Sequence, residues 1–130
     1  VSQDLYDAAV AAMAFSHSPY SNFPVGAAIR ADDGKVYSGA NIENAAYPEG
    51  LCAEATAIAH MIMGGGRTIA EIAVIAGRMA KCPPCGGCRQ KIAEFATPAT
   101  RIYLCDEAGV QATLTMDALL PGAFDKSALG

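Results

Sequence analysis

The chain has 130 residues, of which 52% are hydrophobic and 17% charged, and it carries a net charge of −4. That length is one domain's worth and can bury a core without disulfide staples, so residues 1–130 are read as a single domain. No run approaches the ~20 apolar residues that span a bilayer, and the scattered basic residues form no stripe for a phosphate backbone, so neither a membrane nor a nucleic-acid partner is expected and the substrate is expected to be small and uncharged.

In chain order, Ser2 is placed to cap a helix over residues 2–16, with Leu5, Ala9, Ala12 and Met13 on one apolar face. The turn formers of residues 18–22 end it. Residues 25–31 and 35–40 read as strands joined by the Asp32-Asp33-Gly34 hairpin turn. Residues 41–50 form a polar loop. A second helix covers 51–63 and stops at Gly64-Gly65-Gly66. A strand over 69–77 is halted by Pro83-Pro84, and a third helix covers 85–96. Strands over 101–105 and 110–115 flank a turn, and 116–120 forms a last short helix. This order predicts an α/β fold: a three-layer α/β/α sandwich whose mixed five-stranded sheet is covered by helices, with a β-α-β crossover near its centre.

Five cysteines is an odd count, and no basic stretch followed by an apolar run opens the chain. Thiols held for metal in a reducing, cytoplasmic setting fit better than a disulfide framework. Cys52-Ala53-Glu54 and Pro84-Cys85-Gly86-Gly87-Cys88 both fall at helix starts, where backbone N–H groups and the helix dipole favour thiolate over thiol. Cys52, Cys85 and Cys88 are the candidate metal ligands. Three thiolates hold a zinc ion and leave its fourth corner for water, and Glu54 is then the candidate proton carrier. Competing readings remain at this point: a structural site closed by Cys82, an iron–sulfur half-site, and Glu54 as a dipole partner of its helix. Cys82, ahead of two prolines, is expected to be an exposed loop thiol, and Cys105 a core residue. His17 and His60 have no partner at ligand spacing and are expected to be surface or satisfied core residues.

With those motifs in place, the chain resembles the cytidine deaminases of the small, homotetrameric type. The resemblance is carried by PYSNFPVGAA at 19–28, GANIENAAYP at 39–48, Cys52-Ala53-Glu54, PCGGCRQ at 84–90 and LLPGAF at 119–124. A Cys-x-Glu followed by Pro-Cys-x-x-Cys also matches the general zinc deaminase signature. The resemblance implies one Zn2+ per subunit on Cys52, Cys85 and Cys88, with Glu54 as proton shuttle. It further implies that Asn41 and Glu43 bind the ribose hydroxyls, that Phe23 and Val25 pack against the nucleoside, and that the backbone at Ala53 and Cys52 reads the base edge. Tyr47 and Phe124 would complete a neighbouring subunit's site in a homotetramer. The implied reaction is hydrolytic deamination of cytidine and deoxycytidine in pyrimidine salvage. The alternatives are a related deaminase acting on another nucleoside or base analogue, and a non-catalytic four-cysteine zinc protein. One departure stands out: similar proteins usually place Arg directly after Cys-Ala-Glu, and here that residue is Ala55. Either the two helix dipoles and another cation, with Arg89 as the candidate, offset the third thiolate, or the substitution slows the chain.

Overall fold

A computed structural model describes residues 3–77 and 82–129. Its elements are α1 (Gln3–Met13), β1 (Val25–Ala31), β2 (Val36–Ala40), α2 (Ala53–Met63), β3 (Ile69–Ala76), α3 (Gly86–Phe95), β4 (Ala96–Asp106), β5 (Gly109–Thr115) and α4 (Met116–Leu119). Single turns of 3-10 helix cover Tyr47–Glu49 and Lys126–Leu129. The strands form one sheet in the order β2-β1-β3-β4-β5. β3 and β4 pair in parallel through the α3 crossover, and the other neighbours are antiparallel.

Side-chain alternation along the strands sorts the core into two layers. Ala27, Ile29, Ile72, Val74, Ile102 and Leu104 face α2, α3 and α4. Ala28, Ala73, Ile75, Tyr103 and Cys105 face Leu5 and Ala9 of α1. With helices on both sides, the central strands β1 and β3 need apolar residues on both faces, which is why VGAAIRA and IAEIAVIA read as nearly continuous apolar runs. The three-layer expectation is met, and Cys105 is a core residue as expected.

Close backbone approach sets where α2 starts. A Cβ on Gly39 would lie 2.3 Å from Thr56 Oγ1 and 2.4 Å from the Ala57 nitrogen, so β2 and α2 touch main chain to main chain. Thr56 Oγ1 then donates to the Ala40 carbonyl at 2.9 Å, clamping the first turn of α2 to the end of β2. Three local expectations differ. The predicted Ser2 cap lies outside the described residues. α1 stops at Met13 rather than near Ser16, because the chain turns there to pair His17 with the loop around Ile42. β4 begins at Ala96, well before residue 101, because Ile69 pairs with Ala96 across a register shift. Thr100 stabilises that irregular stretch by donating to the Ile69 carbonyl at 2.6 Å.

Candidate active site

Cys52 and Cys85 are the N-cap residues of α2 and α3, both with extended backbone. Neither side chain caps its own helix, so both sulfurs are left to point at each other. Cys88 sits in the first turn of α3 and is fully buried. The three Sγ atoms lie within 4.8 Å of one another, and Cys52 and Cys85 are 3.8 Å apart. Sulfurs bound to one tetrahedral zinc at ~2.3 Å stand about 3.8 Å from each other. The donor set and its spacing therefore fit zinc, with three corners supplied by protein and one left open. Cys82 is not part of this cluster.

The sulfurs already share protons as a unit. Hydrogen bonds from Cys88, and then from Cys85, bring the Cys52 thiol down to about 6, with the charge of Lys91 adding to the effect. Cys88 is pushed far up, because its proton is held against Cys52 in a buried position. The site thus keeps a thiolate ready at neutral pH, in line with its place at two helix starts. Glu54, only 4% exposed, follows Cys52 by two residues. Burial, and secondarily the charge on Cys52, raises its carboxyl from 4.5 to about 7. A carboxyl that is half protonated near neutrality can both take and give a proton. The dipole-partner reading does not account for a carboxyl held that high, since a helix N-terminus by itself lowers it.

One cavity of about 160 Å³ is lined by Val25, Asn41, Cys52, Ala53, Glu54, Val74, Cys82, Pro83 and Cys85. It lies past the carboxyl end of β3, where open α/β sheets place their ligands. Val74 belongs to β3, and no motif in the sequence marked it. Cys82 corrects an expectation: it is a half-buried wall of this cavity rather than an exposed loop thiol, and burial with the nearby Glu54 charge raises its thiol.

Asn41 is heavily engaged. Its Oδ1 accepts from the Val25 nitrogen at 2.9 Å and from Ser16 Oγ at 2.5 Å, and its Nδ2 donates to the Phe23 carbonyl at 2.9 Å. Its described bonds hold the 23–25 segment at the cavity wall. Glu43 accepts from the Tyr20 and Ser21 nitrogens and from Ser21 Oγ, which keeps its carboxyl below the usual range. With Tyr20, Ser21, Asn44, Tyr47 and Gly50 it lines a second cavity of about 310 Å³. Phe23 is half-buried and lines neither cavity, Tyr47 is 75% exposed, and Phe124 is 61% exposed with its carbonyl held by Gln90. Arg89 does not turn to the sulfurs: it donates to the Pro84 and Leu119 carbonyls at 2.9 Å each. His60 meets the Ser38 carbonyl and packs edge-on against Tyr37, as a satisfied residue. Among the described residues, no helix is long and apolar enough to cross a membrane.

Comparison with known proteins gives a consistent result. The family model described as "Cytidine and deoxycytidylate deaminase zinc-binding region" matches residues 1–105. The chain is 46% identical over 114 residues to a cytidine deaminase of Sporosarcina psychrophila, covering 88% of this chain and 84% of that one. It is 44% identical over 122 residues to a cytidine deaminase of Halalkalibacterium halodurans, covering 94% and 92% respectively. Its backbone is similar to the crystal structure of a cytidine deaminase from Burkholderia pseudomallei, with a TM-score of 0.88, 39% identity, and coverage of 95% of this chain and 99% of that one.

Proposed function

The chain belongs to the cytidine and deoxycytidylate deaminase zinc-binding family, and from that premise we propose that it hydrolyses cytidine and deoxycytidine to uridine and deoxyuridine with release of ammonia. The observation that carries the reading is the meeting of three cysteine sulfurs, suited to zinc, with a buried carboxyl raised to about 7, beside a cavity that Cys52, Cys85 and Glu54 line.

Zinc, when bound, supplies the Lewis acidity that makes a water molecule lose its proton near neutral pH. Cys52, Cys85 and Cys88 would hold it, closing three corners and excluding water from them. Glu54 accepts the released proton on its carboxylate and passes it to the ring nitrogen beside the amino-bearing carbon. Once the water oxygen has bonded to the amino-bearing carbon, Glu54 takes that oxygen's remaining proton and delivers it to the amino group, so that the C–N bond breaks, ammonia leaves and a ring carbonyl remains. One carboxyl serves both steps because its affinity for a proton, raised by burial, lies close to ambient pH. The Ala53 and Cys52 backbone is assigned to the base edge, Phe23 and Val25 to packing, and Asn41 and Glu43 to the sugar hydroxyls, whose fixation holds the reacting carbon in place. For Asn41 this adds to its part in holding the 23–25 wall.

We assign the whole of residues 1–130 to one deaminase domain of a homotetramer, acting in the cytoplasm in nucleoside salvage. Exposed Tyr47 and Phe124 support that assembly, since large apolar side chains left in water favour a covering partner. They are assigned to completing a neighbouring subunit's site. The alternative of a four-cysteine structural zinc protein is disfavoured by Cys82, which stands apart from the trio. The test is ammonia release from cytidine by the zinc-loaded protein, against Glu54→Gln with the same zinc content. Turnover is expected in the parent and absent in the variant. A zinc-loaded parent that releases no ammonia from cytidine or deoxycytidine overturns the reading.

A further inference from the structure

The proposed reaction gives a task to most of the wall of the 160 Å³ cavity and leaves one part without any. Cys52 and Cys85 hold the metal corner, Glu54 and the Ala53 backbone take the ring nitrogen and the base edge, and Val25 and Asn41 take the nucleoside's packing and its sugar. Val74, Cys82 and Pro83 remain. The shape of a pyrimidine says what meets them. Its amino-bearing carbon C4 has two ring neighbours, N3 and C5, which lie on opposite sides of the line from C4 to the metal corner. With N3 turned to Glu54 on α2, C5 is turned away from that helix start. Val74 is buried in the sheet and forms the floor. The side left for C5 is the segment leading into α3, where Cys82 is half-buried and Pro83 exposed.

That segment is stiff. Proline fixes its own backbone and confines the residue before it to extended chain, and two prolines follow Cys82. Pro84 is fully buried, and its carbonyl accepts from Arg89 Nε at 2.9 Å. Cys82 Sγ rests 3.9 Å from the Pro83 carbonyl oxygen. A free cysteine presents a small, apolar surface, and a wall that does not yield turns the size of that surface into selectivity.

We infer that Cys82 sets how large a substituent the cytosine ring can carry at C5, as the cavity wall that the C5 edge faces when N3 is at Glu54. This rests on the proposed deaminase reading and deepens it, since it states which ring-substituted nucleosides the same site takes and which it refuses. Cys82 holds no metal and moves no proton; it acts on the substrate by shape alone.

The test compares substituted with bare nucleosides. The zinc-loaded parent, Cys82→Ala and Cys82→Leu are given deoxycytidine, 5-methyldeoxycytidine and 5-iododeoxycytidine, and kcat/KM for each substituted compound is divided by that for deoxycytidine. Comparing this ratio between variant and parent cancels what the substituent itself does to the reactivity of C4. One methylene in an apolar pocket changes selectivity by about tenfold or more. Cys82→Leu should therefore lower the ratio for both substituted compounds by about tenfold, and Cys82→Ala should raise it about as much for the iodo compound. A second readout needs no turnover: calorimetric binding of 5-iododeoxyuridine relative to deoxyuridine should shift in the same direction in each variant. Where Cys82→Leu does not fold or hold zinc, Cys82→Ala decides by itself. Ratios that stay within about twofold of the parent overturn the inference, including the case in which every nucleoside loses equally, which marks a structural role. The deaminase reading fails by a different measurement, the absence of ammonia from unsubstituted cytidine and deoxycytidine with the parent.

Discussion

Removing the charge of Glu54 should stabilise the zinc-free protein, and only above a definite pH. The carboxyl is 4% exposed and titrates at about 7 rather than 4.5. Its folded form therefore holds a proton that the unfolded chain has already released. Stability falls as pH rises from 4.5 through about 7, and the loss is complete above that. At 1.36 kcal/mol per pK unit, the displacement amounts to about 3 kcal/mol. Glu54→Gln keeps the shape and carries no charge, so it escapes this cost. The assay is urea unfolding of parent and variant in excess chelator, at one protein concentration, from pH 4.5 to 8. The two should be nearly equal at pH 4.5 and diverge until the variant leads by about 3 kcal/mol at pH 8. A difference that does not change with pH, or a parent more stable at pH 8, would refute the argument that burial of the carboxyl sets its proton affinity.

Zinc content separates the cysteines: Cys82→Ser should keep a full equivalent of metal, whereas Cys88→Ser should lose most of it, as read by metal analysis after dialysis. Gly39→Ala should destabilise the fold by about 3 kcal/mol, since the new methyl meets the α2 backbone, which cannot swing aside; thermal unfolding reads the cost, and zinc content should fall with it because α2 carries Cys52. Glu71 accepts from Tyr103 at 2.6 Å and pairs with Arg30 and Arg101 at 3.3 and 3.4 Å on the α1 side of the sheet. Glu71→Ala should cost about 2 kcal/mol in chemical denaturation, chiefly from the buried phenol and the partly buried Arg30, because Arg101 is well exposed.

The chemistry was legible in the chain itself. Thiols two and three positions from a carboxyl or from each other, at the heads of apolar helices, name a metal and a proton carrier without coordinates. The strands were legible because β1 and β3 are buried on both faces, which shows as apolar runs. Periodicity, however, tells which face of an element is buried and not which other element covers it. Only the sheet order β2-β1-β3-β4-β5, with α2 and α3 on one side, brings two distant helix starts together and sets three sulfurs within 4.8 Å. The same packing turned Cys82 into a cavity wall, brought Val74 to the site from a core strand, and occupied Arg89 with carbonyls instead of sulfurs. Local sequence determined which residues could serve as ligands and proton carrier, because that depends on side-chain type and on position at a helix start. Tertiary structure decided which groups share a cavity and a field, because distances between residues far apart in the chain are set by packing alone.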